Sequence, residues 1–279
     1  MAVYEKSQIE IEYDAVKFNR KVHKNVENFM EEYWNQKCSE NPRLYNGSKF
    51  RLDSFQLKEK LLKIQVGITS YKELLGTHHH PNADQLLNES YDFFFKGTEG
   101  FNDEFAFMSN CLGVGAIALT KDDFFILMER SMWTGEAPGK VDRPGGHPEP
   151  DLISKDHSNL TSKQVLDEIY QSPQNELRDE INIALSDQSE PKLLGLVRDM
   201  ELGGRCAFDF LIKVNLTREQ VLQNYQQGQQ AEADESTNLI FLAKSSVETW
   251  EIPDELTLKL THHGLAGLRL FHLYSKIRE

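Results

Sequence analysis

Residues 8–13 alternate apolar and charged side chains, with Ile9, Ile11 and Tyr13 set against Glu10 and Glu12, the two-residue period of a half-buried strand. From 14 to 36 the apolar positions Val16, Val22, Val26, Phe29, Met30 and Tyr33 recur near a helical period and predict a helix with a buried stripe. KFRLDSFQLKEKLLKIQVGI, residues 49–68, predicts two strands around a charged turn. TSYKELLG then predicts a short helix with Ser70 as N-cap and Glu73 closing a capping box. These elements mark an N-terminal unit that ends in the Gly- and Asn-containing stretch near 97–110.

GVGAIALT and FFILMERS on either side of KDD predict a hairpin. A Gly- and Pro-rich loop follows through RPGGHPEP, residues 143–150, and the polar insertion 150–161 is expected to be a mobile loop. Helical segments are expected over 162–185. Pro173 would break a helix interior, so the helix should start or kink sharply there, with Ser172 as its N-cap. A strand is expected at 192–198. In RCAFDFLIKVNL, 205–216, Cys206, Phe208, Phe210, Ile212 and Val214 share one face, which makes it the clearest strand of the chain. TREQVLQNYQQ predicts a helix with Thr217 and Gln220 as a capping box. A strand near 237–243 and a C-terminal helix from 262 complete the order. There is no internal repeat. The mixed sequence of elements predicts an α/β (α+β) fold with helices covering a mixed sheet, divided into an N-terminal extension domain, 1–110, and a second domain, 111–279.

Composition narrows the function. With 279 residues and 39% hydrophobic content the chain can bury a large core. Its 31 Lys and Arg against 44 Asp and Glu leave a formal charge of −13, and no basic run interrupts it, so a nucleic-acid partner is not expected. An anionic substrate would need a divalent metal to neutralise it. The start lacks a secretory apolar stretch, and the longest apolar run, LGVGAIAL at 112–119, is too short to cross a bilayer. Both features point to the cytosol, with the nucleus as the alternative. Cys38, Cys111 and Cys206 are odd in number and widely spaced, and read as reduced thiols.

The chemistry concentrates in ELRDE, 176–180. On a helix, Glu176, Asp179 and Glu180 project from one side, because positions i, i+3 and i+4 are neighbours. An isolated triplet of this kind is ordinarily a solvated charged face. The turn at Pro144, Gly145 and Gly146 changes that reading, since glycine lets backbone approach closely and a carbonyl can reach a cation held by carboxylates. Mg²⁺ prefers such oxygen ligands and shares itself with substrate phosphates.

GGHPEP followed by ELRDEINI resembles a Nudix box, in which a glycine and a Glu precede Arg-Glu-U-X-Glu-Glu-X-Gly-U, U being aliphatic. Gly146 matches the first glycine, and Glu176, Leu177, Asp179, Glu180 and Ile183 match the second half with one Glu-to-Asp change. The usual Arg is Asn175, and its partner position falls on Asp167 or Glu168. The usual Gly is Asn182, the next-best residue at a left-handed helix C-terminus. The segment between the glycines and the helix exceeds the family spacing. KFRL at 49, GITSYKELLGT at 67, LGVGAIAL at 112, EAPGKVDRPGGHPEP at 136 and ESTNLIFL at 235 are together similar to the Nudix subgroup of UDP-glucose pyrophosphatases, which carries the same interrupted box and an N-terminal extension domain.

The resemblance implies a Nudix-type α/β/α sandwich and hydrolysis of UDP-glucose and UDP-galactose to UMP and sugar 1-phosphate, dependent on Mg²⁺ with Mn²⁺ as a substitute. It implies Glu176 and Glu180 as catalytic metal ligands, Asp179 as a further ligand or a shaper of the metal's field, and the Gly146 carbonyl as a weaker one. It also calls for a later acidic residue for metal binding or water activation, a role that falls to Glu235. On the substrate side, Arg205 is a candidate for a phosphate and Tyr71 for stacking on uracil, each with a purely structural alternative. The helix N-terminus at Ser70 is a candidate anion site, although its capping box would already satisfy the free amides. His78 to His80, His262 and His263 read as loop or surface residues without a ligand partner. Two other functions stay open at this point: hydrolysis of a different nucleoside diphosphate derivative, and a catalytically silent binding module that keeps the fold.

Overall fold

A computed structural model describes residues 3–83, 105–134 and 136–278. The first part contains β1 (Ile9–Tyr13), α1 (Lys24–Glu40), β2 (Ser48–Lys58), β3 (Leu61–Ser70) and α2 (Tyr71–Thr77). Its three strands form one sheet in the order β1-β3-β2, with β1 parallel and β2 antiparallel to β3. The expected alternation at 9–13 and the hairpin over 48–70 are both present. Residues 97–104 of the stretch expected to close this unit lie outside the described residues.

The helix expected over 14–36 begins only at Lys24. Val16 and Val22 are 83% and 74% exposed, whereas Val26 and Met30 are buried. The cause is local competition: the Asp14 carboxylate accepts the backbone N–H groups of Val16 and Lys17, which closes a turn in place of a helix. In α2, Ser70 Oγ accepts the Glu73 N–H as expected. The Glu73 side chain does not close the box. It binds the buried Arg20 guanidinium and Thr69 Oγ1, a charge-assisted arrangement that outcompetes the Ser70 backbone.

The second part runs β4 (Leu112–Leu119), β5 (Phe124–Arg130), β6 (Val141–Asp142), β7 (Gly145–Gly146), α3 (Pro150–Ile153), α4 (Ser162–Ile181), β8 (Lys192–Asp199), β9 (Arg205–Lys213), α5 (Arg218–Gln226), β10 (Ser236–Ala243), α6 (Lys244–Thr249), α7 (Asp254–Lys259) and α8 (His262–Arg278). The main sheet has the order β10-β5-β4-β9-β8, with β4 and β9 parallel and the other neighbours antiparallel. The β4–β5 hairpin pairs only at Leu119 and Phe125. Beyond that point the strands part, β6 pairing with β5 and β7 with β4. The glycine loop thereby occupies the opening between two central strands.

Alternation along these strands sorts the core into two layers. Val114, Ala116, Phe208, Phe210 and Ile212 pack with Val165, Ile169, Leu177 and Ile181 of α4, and in the same cluster with Ile11, Phe50, Leu52, Ile64 and Val66 of the small sheet. Ile117, Leu119, Leu127 and Leu211 face the other way, onto Val247, Leu268 and Phe271. Helices therefore cover both faces of a mixed sheet, as expected from the order of elements. Among the described residues no helix is long and apolar enough to cross a membrane.

Two expectations fail around α4. Its N-cap is Thr161, with Gln164 completing a capping box, and the helix continues through Pro173 to Ile181. Ser172 is buried inside it. A proline in a helix interior costs about 3 kcal/mol. Here Ile169 and Tyr170 before it and Leu177 and Ile181 after it are all buried, and two to three such side chains offset that cost at about 1.5–3 kcal/mol each. The insertion 150–161 is ordered rather than a mobile loop. Asp151 accepts from Ser48 Oγ at 2.6 Å and from Lys155 Nζ at 2.7 Å, and lies 2.7 Å from His157 Nε2. Tyr13 Oη donates to the His157 carbonyl at 2.8 Å, and Lys49 pairs with Glu149. Ser48, Lys49 and Tyr13 belong to the small sheet, so these tethers are invisible to local sequence spacing.

The end of α4 follows expectation. Asn182 sits in the left-handed region at φ 59° and ψ 42°, and the N–H groups of Asn182 and Ile183 bond back to the carbonyls of Arg178 and Leu177.

Candidate active site

A cavity of about 810 Å³ opens over the glycine loop, and its walls include Gly145, Gly146, Glu176, Glu232 and Glu235. Helical pitch puts Glu176 and Glu180 on the same side of α4, facing β7. Glu180 is fully buried; its Oε2 accepts the Gly145 N–H at 3.0 Å, and its Oε1 has no hydrogen-bond partner among the described residues. Glu176 lies against Gly146 so closely that a Cβ there would stand 2.4 Å from Glu176 Oε1. This close approach is the reason for glycine at 146.

The third carboxylate is Glu232. One carboxylate oxygen from each of Glu176, Glu180 and Glu232 lies within 4.8 Å of the others. The Glu232 loop is tied to the helix by its own N–H, which donates to the Asp179 carbonyl at 2.8 Å. Glu235 lines the same cavity and is held through its backbone, its N–H donating to Glu232 and its carbonyl accepting from Ser131. Asp179 departs from the expected set. Its carboxylate is engaged by Arg178 Nε and Nη2 at 2.7 and 2.6 Å, and Glu232 completes the three-carboxylate group in its place. The Gly146 backbone borders the cavity, but the three clustered atoms are all from side chains.

Burial pushes the Glu176 carboxyl up to about 8, with Glu232, Glu235 and Asp179 adding to the rise. Burial, then Glu176 and Glu235, also holds Glu180 well above the usual carboxylate range. Three converging acids, one with an unmet buried oxygen, form an anionic cradle without enough cation of its own. An all-oxygen donor set of this kind fits a hard divalent cation.

A second polar cluster in the cavity wall centres on an arginine. Arg205, at the head of β9, is buried and pairs with Glu136, with His79 Nε2 at 3.4 Å and His147 Nε2 at 3.3 Å. Burial raises the Glu136 carboxyl, but Arg205, His79 and His147 outweigh it and hold it far below its ordinary range. Tyr71 lines the cavity, half-buried, and its ring meets Trp34 edge-on. Ser70 does not line it, and its hydroxyl is spent on the α2 N-terminus.

Of the histidines read as loop or surface residues, His262 is exposed as expected, but His78 and His263 are interior. His78 is buried, its Nδ1 set 2.9 Å from the Gly203 carbonyl and its Nε2 accepting the Asn110 N–H at 2.9 Å. His79, His262 and His263 line the cavity; His262 lies 3.2 Å from Asp199, and His263 is 6% exposed with neither ring nitrogen paired among the described residues. Their neighbours come from strand ends and loops distant in sequence, which is why spacing offered no partner. Sequence reasoning also missed Glu232. Its one local signal is AEADES, 231–236, where it precedes Glu235 by three positions.

No family model matches the chain. The uridine diphosphate glucose pyrophosphatase NUDT22 of Homo sapiens is 36% identical over 224 residues, covering 77% of this chain and 71% of the relative, and its Bos taurus counterpart is 36% identical over the same length. Nudix hydrolase 9 of Arabidopsis thaliana is 26% identical over 265 residues, covering 89% of this chain and 80% of the relative. Among solved structures, a NUDIX hydrolase from Nitrosomonas europaea matches 59% of this chain and 89% of its own at 13% identity, with a TM-score of 0.37.

Proposed function

The chain belongs to the Nudix hydrolases, and from that membership we propose that it hydrolyses the pyrophosphate bond of UDP-sugars, UDP-glucose and UDP-galactose, to UMP and sugar 1-phosphate. The observation that carries the reading is the Glu176–Glu180–Glu232 cluster packed against Gly145 and Gly146 in a cavity that also holds arginines. The substrate assignment is supported by the 36% identical relatives, which are uridine diphosphate glucose pyrophosphatases.

In this reading Glu176, Glu180 and Glu232 hold Mg²⁺, or Mn²⁺ in its place, and Asp179 contributes to the local field. When bound, the cation neutralises phosphate charge and stabilises the leaving phosphate. The Gly145 N–H holds Glu180 in its rotamer, and Gly146 admits Glu176 to the loop. Glu235, beside the cluster, accepts the proton of the attacking water as its oxygen bonds to phosphorus and the bridging P–O bond breaks. Arg205 adds positive potential for the diphosphate, and Tyr71 offers an aromatic face to the uracil. Residues 1–110 serve as an extension of the hydrolase unit 111–279, and the tethers from Ser48 and Lys49 to residues 149–151 support its docking there. A cytosolic setting is supported by three cysteines that are all free thiols.

The test is UMP release from UDP-glucose by the full chain with Mg²⁺, alongside a panel of other nucleoside diphosphate derivatives. Magnesium-dependent turnover of UDP-sugars that disappears in Glu176→Gln and Glu180→Gln supports the proposal. Preference for a different derivative, or no turnover of any, overturns it.

A further inference from the structure

The two buried arginines of the cavity are committed to different degrees. Arg205 meets a carboxylate and two imidazoles, and its buried Nε has no partner among the described residues. Arg143, the first residue of RPGG, donates Nε to Asp209 Oδ1 at 2.8 Å. Its Nη1 only approaches Asp142, at 3.5 Å, and its Nη2 makes no hydrogen bond among the described residues. Asp209 is itself fully buried on β9, and its second oxygen has no partner among the described residues.

The fold makes room for this side chain. A Cβ on Gly115 would stand 2.2 Å from Arg143 Nε and 2.5 Å from Nη2, so the guanidinium rests directly on the β4 backbone. A Cβ on Gly145 would stand 3.3 Å from Nη1. Gly145 is the residue whose N–H holds Glu180. The terminal nitrogens of Arg143 therefore border the carboxylate cluster from the loop side, within the same cavity.

We propose that Arg143 is the diphosphate-binding residue of this site, anchored through Nε by Asp209 as its positioning residue, with its Nη edge offered to the phosphate oxygens. The inference rests on the UDP-sugar hydrolase reading above. A nucleoside diphosphate ester brings two negative charges to a site already crowded with carboxylates, and one divalent cation cannot balance the diphosphate and the carboxylates together. A planar guanidinium fixed at one nitrogen presents its remaining donors in the geometry a phosphate accepts, which an ammonium cannot reproduce.

The experiment uses the full chain with Mg²⁺ and UDP-glucose. Arg143→Lys keeps the charge facing Asp209 and is expected to lower kcat/KM about tenfold or more with little change in Tm. Arg143→Ala is expected to lose about a hundredfold or more, and millimolar guanidinium is expected to restore about tenfold in a saturable way, whereas methylammonium is not. Asp209→Asn tests positioning: its loss in kcat/KM should overlap with that of Arg143→Lys, so that the double variant is no worse than Arg143→Lys alone. Wild-type kcat/KM in Arg143→Lys overturns the proposal, as does a folded Arg143→Ala that guanidinium leaves unchanged. If Arg143→Ala does not fold, Arg143→Lys decides. Failure of the wild type to hydrolyse any UDP ester would sink the underlying hydrolase reading instead, a result separable from every variant-to-wild-type ratio.

Discussion

The Glu180 carboxylate receives the Gly145 N–H on Oε2 at 3.0 Å, while the buried Oε1 meets no donor among the described residues. A buried polar atom left in that state costs about 1–3 kcal/mol, and more when charged. Folding and ion binding are therefore coupled at this residue, because a cation that satisfies Oε1 stabilises the folded chain.

We predict that Glu180→Gln raises the melting temperature in EDTA, since the neutral amide removes the cost of burying a carboxylate and its repulsion from Glu176 and Glu235. The gain should be about 1–3 kcal/mol. The same variant should lose the stabilisation that Mg²⁺ gives the wild type, and UMP release should fall by about a thousandfold or more. Thermal unfolding with and without Mg²⁺ checks the first two statements, and a wild type whose melting is indifferent to Mg²⁺ refutes them.

Adjacent glycines should fail differently. At Gly146 the added methyl meets the end of the Glu176 side chain, which can swing aside, so Gly146→Ala should fold near normally yet lose about a hundredfold or more in turnover. At Gly145 the methyl meets the Val114 carbonyl at 2.4 Å and the Gly115 Cα at 3.0 Å, both backbone. Gly145→Ala should destabilise the chain by about 2 kcal/mol or more. Urea unfolding and initial rates on both variants separate the two effects, and equal stability losses would count against the distinction.

Glu232 and Asp179 exchange the importance that helix spacing alone assigns them. Glu232→Gln should weaken the Mg²⁺ dependence of turnover about tenfold or more, because it removes one of three clustered oxygens. Asp179→Asn should change it less than about threefold, since that carboxylate is already bound to Arg178. Metal titrations of activity rank the two, and the reverse ranking would return Asp179 to the ligand set.

Burial lowers His78 to about 3, and its Nε2 is occupied in accepting the Asn110 N–H. The unfolded histidine, near 6.5, binds its proton first as pH falls, so the unfolded state is favoured progressively between pH 6.5 and 3. Below about pH 6 the wild type should lose about 1.4 kcal/mol per pH unit more than His78→Gln does. Denaturant unfolding at pH 7, 5 and 4 measures the difference. Parallel pH profiles would show that His78 is protonated in the folded chain.

Legibility in the sequence followed distance along the chain. The central strand over 205–213 was plain because both its layers are made of consecutive residues, and the left-handed Asn182 was readable from the residue type at the end of α4. Pro173 misled because its local cost is real, yet apolar burial on both sides of it, summed over Ile169, Tyr170, Leu177 and Ile181, holds the helix together. The insertion 150–161 misled for the converse reason: its polar composition is that of a loose loop, but Asp151 gathers Ser48 from a strand about a hundred positions earlier.

By itself, then, the sequence determined that Glu176 and Glu180 share a helix face and that a glycine turn exists to meet them, because helical pitch and the missing Cβ are properties of a few neighbouring residues. Only the tertiary structure decided which third carboxylate joins them, which arginine keeps free donors, and that His78, His79 and His263 are interior. Strand order supplies the reason. The parting of β4 from β5 admits the RPGG loop, and parallel pairing of β4 with β9 brings Asp209 beneath Arg143, a convergence that no spacing along the chain encodes.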